Sequence, residues 1–174
     1  MGTDKAELIV GNVTLLESVV SYFRGGFAPI WVVGRACPAG WSVEDVEFLS
    51  DRQPDLGPLE GIATVLAVAS RPVLVVACDL PCLTQEAVNW LVTECGSGLG
   101  DHGLAVYTGE RLQPLFSVYR PEAFDWITEL LDQGERALHR CIEGGRFRRV
   151  NAPGFVEKAL YNVNTREDWV DWST

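Results

Sequence analysis

Hydrophobic runs recur along this chain in two kinds. Short apolar runs rich in β-branched residues, Ile30 to Val33 and Val73 to Ala77, predict strands, and Val46 to Leu49 reads as a short third one. Stretches with apolar positions three and four apart predict helices. The first is capped by Thr14 and runs to about Phe23, with Leu15, Val19 and Val20 on one face. A second covers Leu59 to Ser70, a third follows Thr84 to near Cys95, and a fourth opens at Pro121 with Phe124, Ile127, Leu130 and Leu131 on its apolar side. Leu8 to Val10 and Val13 read as a short extended piece around a tight Gly11-Asn12 turn. Leu104 to Thr108 and Leu112 to Tyr119 predict two strands around Gly109-Glu110-Arg111. Ala137 to Glu143 reads as a helical turn or two, Phe147 to Asn151 and Ala159 to Asn162 as extended, and Arg166 to Trp172 as a last helix capped by Thr165. Strands alternating with helices make a layered α/β fold, and strands lacking polar positions call for a parallel sheet covered on both faces.

The run Val73 to Ala77 leads into Cys78-Asp-Leu-Pro-Cys82. Asp79 therefore stands at the carboxyl end of a buried strand, the edge where open α/β sheets place their ligands. Pro81 stiffens the turn that carries it. The same acid also reads as an ordinary turn residue or helix cap. Asp51 to Gly57 holds two acids and glycine and proline breaks, so it is a surface loop, and Pro58 fits the first turn of the helix behind it. That helix carries no charge beyond Glu60 and is expected to pack on the sheet.

The 174 residues suffice for one domain over 1–174 that needs neither disulfides nor a structural metal. A net charge of −10 argues against general nucleic-acid binding. An acidic protein that binds a polyanion must supply local positive charge, a metal ion or oriented backbone N–H groups. The five cysteines, Cys37, Cys78, Cys82, Cys95 and Cys141, include no Cys-x-x-Cys pair and read as reduced, buried thiols rather than zinc ligands. No apolar run is long enough to cross a membrane and no signal peptide opens the chain, so a cytoplasmic protein without a membrane partner is expected. No Gly-x-Gly-x-x-Gly follows a predicted strand, which argues against a dehydrogenase-type dinucleotide binder.

Five fragments occur in order: Met1-Gly-Thr-Asp-Lys-Ala6, Leu56-Gly-Pro-Leu-Glu-Gly61, Cys78-Asp-Leu-Pro81, Gln113-Pro-Leu-Phe116 and Asn162-Val-Asn-Thr165. Together they span nearly the whole chain. The set resembles the molybdenum cofactor guanylyltransferase family, the molybdopterin-guanine dinucleotide synthases. The resemblance implies a Rossmann-like nucleotidyltransferase fold, a mostly parallel sheet with helices on both faces. It implies an enzyme that joins the phosphate of molybdopterin to the α-phosphate of GTP and releases pyrophosphate, with Mg²⁺ as cofactor. Proteins of molybdenum cofactor biosynthesis and apo-molybdoenzymes are the protein partners it suggests.

Carried over by motif, Lys5 matches the family lysine on the nucleotide phosphates and Asp79 the Mg²⁺-binding acid. Asp51 matches an acid of the nucleotide pocket, where a carboxylate can accept from guanine N1–H and the 2-amino group. Gly57 and Gly61 let backbone approach the ligand, although Gly57-Pro58 also reads as a plain helix start. Asn162 and Asn164 match the family's Asn-Val-Asn near the metal and the pterin, and compete with a simple turn before Thr165. Arg111, Gln113 and Arg136 are candidates for the pterin phosphate, or plain surface groups.

The resemblance also implies a strand and a glycine-rich Leu-x-Gly-Gly-x-Ser-x-Arg loop ahead of residue 1, so a true start upstream is expected. Gly34 departs from relatives that place a polar side chain there. Alternatives within the enzyme class are a cytidylyltransferase or another small-substrate nucleotidyltransferase. From outside it comes a non-catalytic pterin-binding or delivery protein.

Overall fold

The computed structural model describes residues 6 and 8–161. Strands β1 (Ile9–Val10) and β2 (Val13–Thr14) pair antiparallel around the Gly11-Asn12 turn, with Gly11 at φ 63°. Helix α1 (Leu15–Ser21) starts at Thr14 through a reciprocal cap. The Glu17 backbone N–H donates to the Thr14 hydroxyl at 3.2 Å, and the Glu17 carboxylate accepts from the Thr14 backbone N–H at 2.7 Å. Strands β3 (Ile30–Val33) and β4 (Val46–Leu49) pair parallel, with Ile30 opposite Val46 and Val33 opposite Leu49. Helix α2 (Pro58–Leu66) begins behind Gly57, and strand β5 (Val73–Val76) follows. Helix α3 (Gln85–Gly96) is capped by Thr84, whose hydroxyl accepts from the Ala87 N–H at 3.2 Å.

The second half contributes β6 (Gly103–Thr108), β7 (Arg111–Leu112) and β8 (Phe116–Tyr119), then a 3-10 turn at Pro121–Ala123. Helices α4 (Phe124–Asp132) and α5 (Leu138–Gly144), strand β9 (Phe147–Asn151) and helix α6 (Gly154–Ala159) complete the described chain. Strands β5, β8, β6, β7 and β9 form one sheet. Because β8 is antiparallel to both β5 and β6 while β9 is parallel to β6, strands β5, β6 and β9 point the same way and β8 is inserted against them.

Side chains alternate across this sheet as the strand period requires. Leu104, Val106, Phe116 and Val118 face α1, α3 and α6. Ala105 and Tyr119 face α2, α4 and α5. The α/β class with helices on both faces is therefore what the structure contains. A smaller cluster joins Ala6, Leu16, Val20 and Val32 to Val46, Phe48 and Cys78, and so ties α1 to β3, β4 and the end of β5.

Several expectations are corrected. The run Val73–Val76 is half-buried rather than buried throughout, and its ladder partner among the described residues is the antiparallel β8. The stretch from Leu112 to Tyr119 is not one strand. It breaks at Gln113–Leu115, where Ser117 replaces a backbone partner: its Oγ accepts from the Val106 N–H at 3.1 Å and donates to the Gln113 carbonyl at 2.7 Å. Helix α1 stops at Ser21 and α2 at Leu66, each short of its apolar pattern. Ala159, expected extended, instead ends α6, a helix hidden behind Pro153-Gly154 whose Val156 and Ala159 are buried. Cys37 is exposed rather than buried. The helix expected from Arg166 to Trp172 lies outside the described residues. No helix among them is long and apolar enough to cross a membrane.

Candidate active site

Three strand ends define the site. Gly34 follows β3, Ser50 and Asp51 follow β4, and Ala77 to Asp79 follow β5. Packing brings them together, because Cys78, next to Asp79, sits in the cluster that holds Val32 of β3 and Phe48 of β4.

Asp51 is closely walled by two glycines. A Cβ placed on Gly34 would lie 3.3 Å from its Oδ2, and one placed on Gly61 would lie 3.6 Å from its Oδ1. Gly34 is at φ 78°, a conformation that side chains with a Cβ resist, and its N–H is bonded to the Leu49 carbonyl at 3.1 Å. The two glycines thus leave the carboxylate room without covering it. Its Oδ1 is buried and has no hydrogen-bond partner. Burial, and next the charge of Glu60, push the Asp51 carboxyl above the usual carboxylate range.

The loop behind Asp51 is anchored to α2. Glu60, wholly buried, accepts from Arg52 Nε at 3.0 Å and from the Gln53 backbone N–H at 3.2 Å. The Arg52 backbone N–H donates to the Thr64 hydroxyl at 3.1 Å, and its guanidinium carbon lies 5.1 Å from the Phe124 ring centre. Gly57 is the residue before α2 at φ 76°, and a Cβ there would meet nothing within 4 Å. Its φ sets the turn into Pro58, and the space beside it is open.

On the β5 side, the Ala77 N–H donates to the Leu115 carbonyl at 2.9 Å, so the Gln113–Leu115 break lies beside the turn bearing Asp79. Gln113 is engaged within the fold: its amide Nε2 donates to the Thr108 hydroxyl at 2.7 Å. Arg111 is exposed at the start of β7, opposite Thr108. Arg136 donates from NH1 to the carbonyls of Leu131 and Glu135, each at 2.9 Å, and so closes the end of α4. Lys5, Asn162 and Asn164 lie outside the described residues.

Sequence reasoning missed Glu60 and Arg52. A usable signal exists, since Glu60 is the lone charge in α2. For Mg²⁺, no cluster of three or more His, Cys, Asp or Glu occurs among the described residues. That does not suit an all-protein cage, but it suits an ion that takes one or two carboxylates and completes its shell with substrate phosphate and water.

The chain is similar to known proteins over nearly its whole length. A molybdenum cofactor guanylyltransferase from Serratia proteamaculans is 28% identical over 173 residues, which cover 98% of this chain and 86% of that protein. The crystal structure of molybdopterin-guanine dinucleotide biosynthesis protein A from Archaeoglobus fulgidus superposes with a TM-score of 0.72 at 22% identity, over 98% of this chain and 89% of that one. A 2-C-methyl-D-erythritol 4-phosphate cytidylyltransferase from Thermus thermophilus gives a TM-score of 0.69 at 19% identity, over 97% of this chain and 92% of its own. These two likenesses establish the nucleotidyltransferase fold. The family described as the MobA-like NTP transferase domain matches residues 1–165, and this chain belongs to that nucleotidyltransferase family.

Proposed function

We propose that this chain, a single domain, transfers GMP from GTP to molybdopterin. A phosphate oxygen of molybdopterin attacks the α-phosphorus of GTP, the bond from that phosphorus to the bridging oxygen breaks, and pyrophosphate leaves. The observation that carries the guanine reading is Asp51. A buried carboxylate oxygen without a partner, walled by Gly34 at the end of β3 and Gly61 in α2, suits a planar base edge that donates two hydrogen bonds. The name of the Serratia relative supports the same substrate pair.

In this reading Lys5 meets the nucleotide phosphates and Asp79 holds Mg²⁺. When bound there, that ion would supply the charge neutralisation that joining two anionic reactants calls for, while Lys5 would do the same from the protein. Gly34 and Gly61 keep the base pocket open, and Gly57 sets the turn into α2. Arg111 and the Gln113 turn stand on the acceptor side, with Asn162 and Asn164 assigned there by motif. Arg136, occupied with carbonyls, serves that side by fixing the end of α4. Incubating the protein with GTP, Mg²⁺ and molybdopterin, and measuring pyrophosphate and dinucleotide product, tests the proposal. Release from CTP in preference to GTP would sink it.

A further inference from the structure

Glu60 is the one acidic side chain wholly buried among the described residues. Its neighbours in α2, Leu59, Ile62 and Ala63, are apolar and buried in the core. A charge at such a position is a poor stabiliser. A well-packed apolar pair often does as well or better than a buried ion pair, because desolvation offsets the attraction. Here the charge also repels the Asp51 carboxylate. Something other than stability is served by keeping it.

The hydrogen bonds show what that is. Glu60 holds both the Arg52 side chain and the Gln53 backbone N–H, and Thr64, one turn on, holds the Arg52 backbone N–H. The two residues immediately after Asp51 are thereby fixed to the helix that also supplies Gly61. Asp51 Oδ1 itself has no partner to locate it, so its direction depends on the backbone that follows.

We infer that the Glu60–Arg52 pair is a positioning clamp that aims Asp51 at the base edge of the nucleotide and so sets purine discrimination without touching the ligand. The inference rests on the reading of Asp51 as a base contact. A misplacement of about 1 Å is enough to cost most of an oriented interaction.

The test compares binding of GTP and ITP, which lacks the 2-amino group, by calorimetry on the full chain, with thermal unfolding measured alongside. The parent is expected to prefer GTP by about tenfold, the scale of one hydrogen bond to a charged group. Asp51→Asn should erase the preference. The double variant R52M/E60M should melt at or above the parent yet bind the two nucleotides within about threefold of each other, where loss of one bond's worth of preference leaves near-equality. A merely structural pair would leave the ratio at the parent value. Retention of that ratio by the double variant, with Asp51→Asn losing it, overturns the clamp and leaves the reading of Asp51 intact. A parent without preference, or Asp51→Asn that keeps it, overturns both. Should the double variant not fold, Glu60→Gln keeps the volume and one acceptor, and its ratio should fall between parent and Asp51→Asn; the parental ratio there overturns the clamp.

Discussion

The backbone N–H of Arg146 donates to Nδ1 of His102 at 3.2 Å, so the His102 ring is held as an acceptor. It is buried between Trp126, with ring centroids 6.3 Å apart, and Phe147, at 5.9 Å. Burial first, and then the Arg146 guanidinium, lower its pKa, against a smaller opposing effect of Asp101. A histidine whose folded pKa is depressed contributes stability that is complete above its unfolded pKa, about 6.5, and is lost as pH falls through the folded value. Thermal melts at pH 7.5 and 5.0 should show the parent losing more than His102→Asn, which offers an oxygen acceptor and does not titrate. Equal losses would show that this ring is not responsible.

Asp51 has the opposite sign. Its carboxyl is pushed up by burial and by Glu60, so the fold favours the protonated form. Its contribution is present below the unfolded pKa, near 3.9, and is lost as pH rises through the folded value. Asp51→Asn should therefore melt higher than the parent at pH 7 and gain little near pH 3.5. Stability purchased this way at the expense of ligand binding is common at functional sites. A lower melting temperature at pH 7 would mean that the carboxylate makes a stabilising contact.

In the proposed reading, Asp79→Asn should reduce transfer by about a hundredfold or more, since removal of one electrostatic contact in a transfer site has this scale, with thermal melts run alongside to show that the variant folds. Chelation of divalent cations from the parent should have the same effect. Activity near the parental level in the variant would rule out Asp79 as a ligand of the proposed Mg²⁺.

Two glycines beside the same carboxylate should respond in opposite directions. Gly34→Ala meets φ 78° and puts a Cβ 3.3 Å from Asp51 Oδ2, so it should destabilise by roughly 1–2 kcal/mol, the cost of left-handed backbone. Gly61 is inside α2, and its Cβ would find ordinary contacts at 3.6 Å with Asp51 Oδ1 and Val33 Cγ1. Gly61→Ala should stabilise by up to ~1 kcal/mol. Denaturant midpoints for the two variants decide this.

Ser117→Ala removes the acceptor of the Val106 N–H and the donor to the Gln113 carbonyl inside the sheet. A loss of about 1–3 kcal/mol is expected from the groups left unsatisfied. Amide exchange should locate the added opening at Val106 and around Gln113. A loss under ~0.5 kcal/mol would indicate that water or a shifted backbone takes over the bonds.

Local rules were legible where one residue type decides the conformation. The Thr14 cap, the Gly11-Asn12 turn, the Pro58 helix start and the bounds of β3 follow from capping, positive φ and a β-branched run. Reading failed where a distant partner decides. Periodicity carries no strand direction, so the antiparallel insertion of β8 was not foreseen. Nor was the break at Gln113–Leu115, because Ser117 supplies its bonds from the side chain. Helix α6 was missed because its apolar face is three residues, Val156, Ala159 and Leu160, that bury against α3 and the sheet.

By itself the sequence determined the α/β class, most of the elements and the ordered motifs that mark the nucleotidyltransferase family, because caps, turns and apolar runs act over a few residues. Only the tertiary structure decided that Asp51 stands between Gly34 and Gly61 and is braced through Glu60 and Arg52. The reason is physical: a buried glutamate with its half-exposed arginine, and a carboxylate oxygen without a partner, exist as such only after the sheet and α2 have come together around them, and burial is not a property of any short stretch of chain.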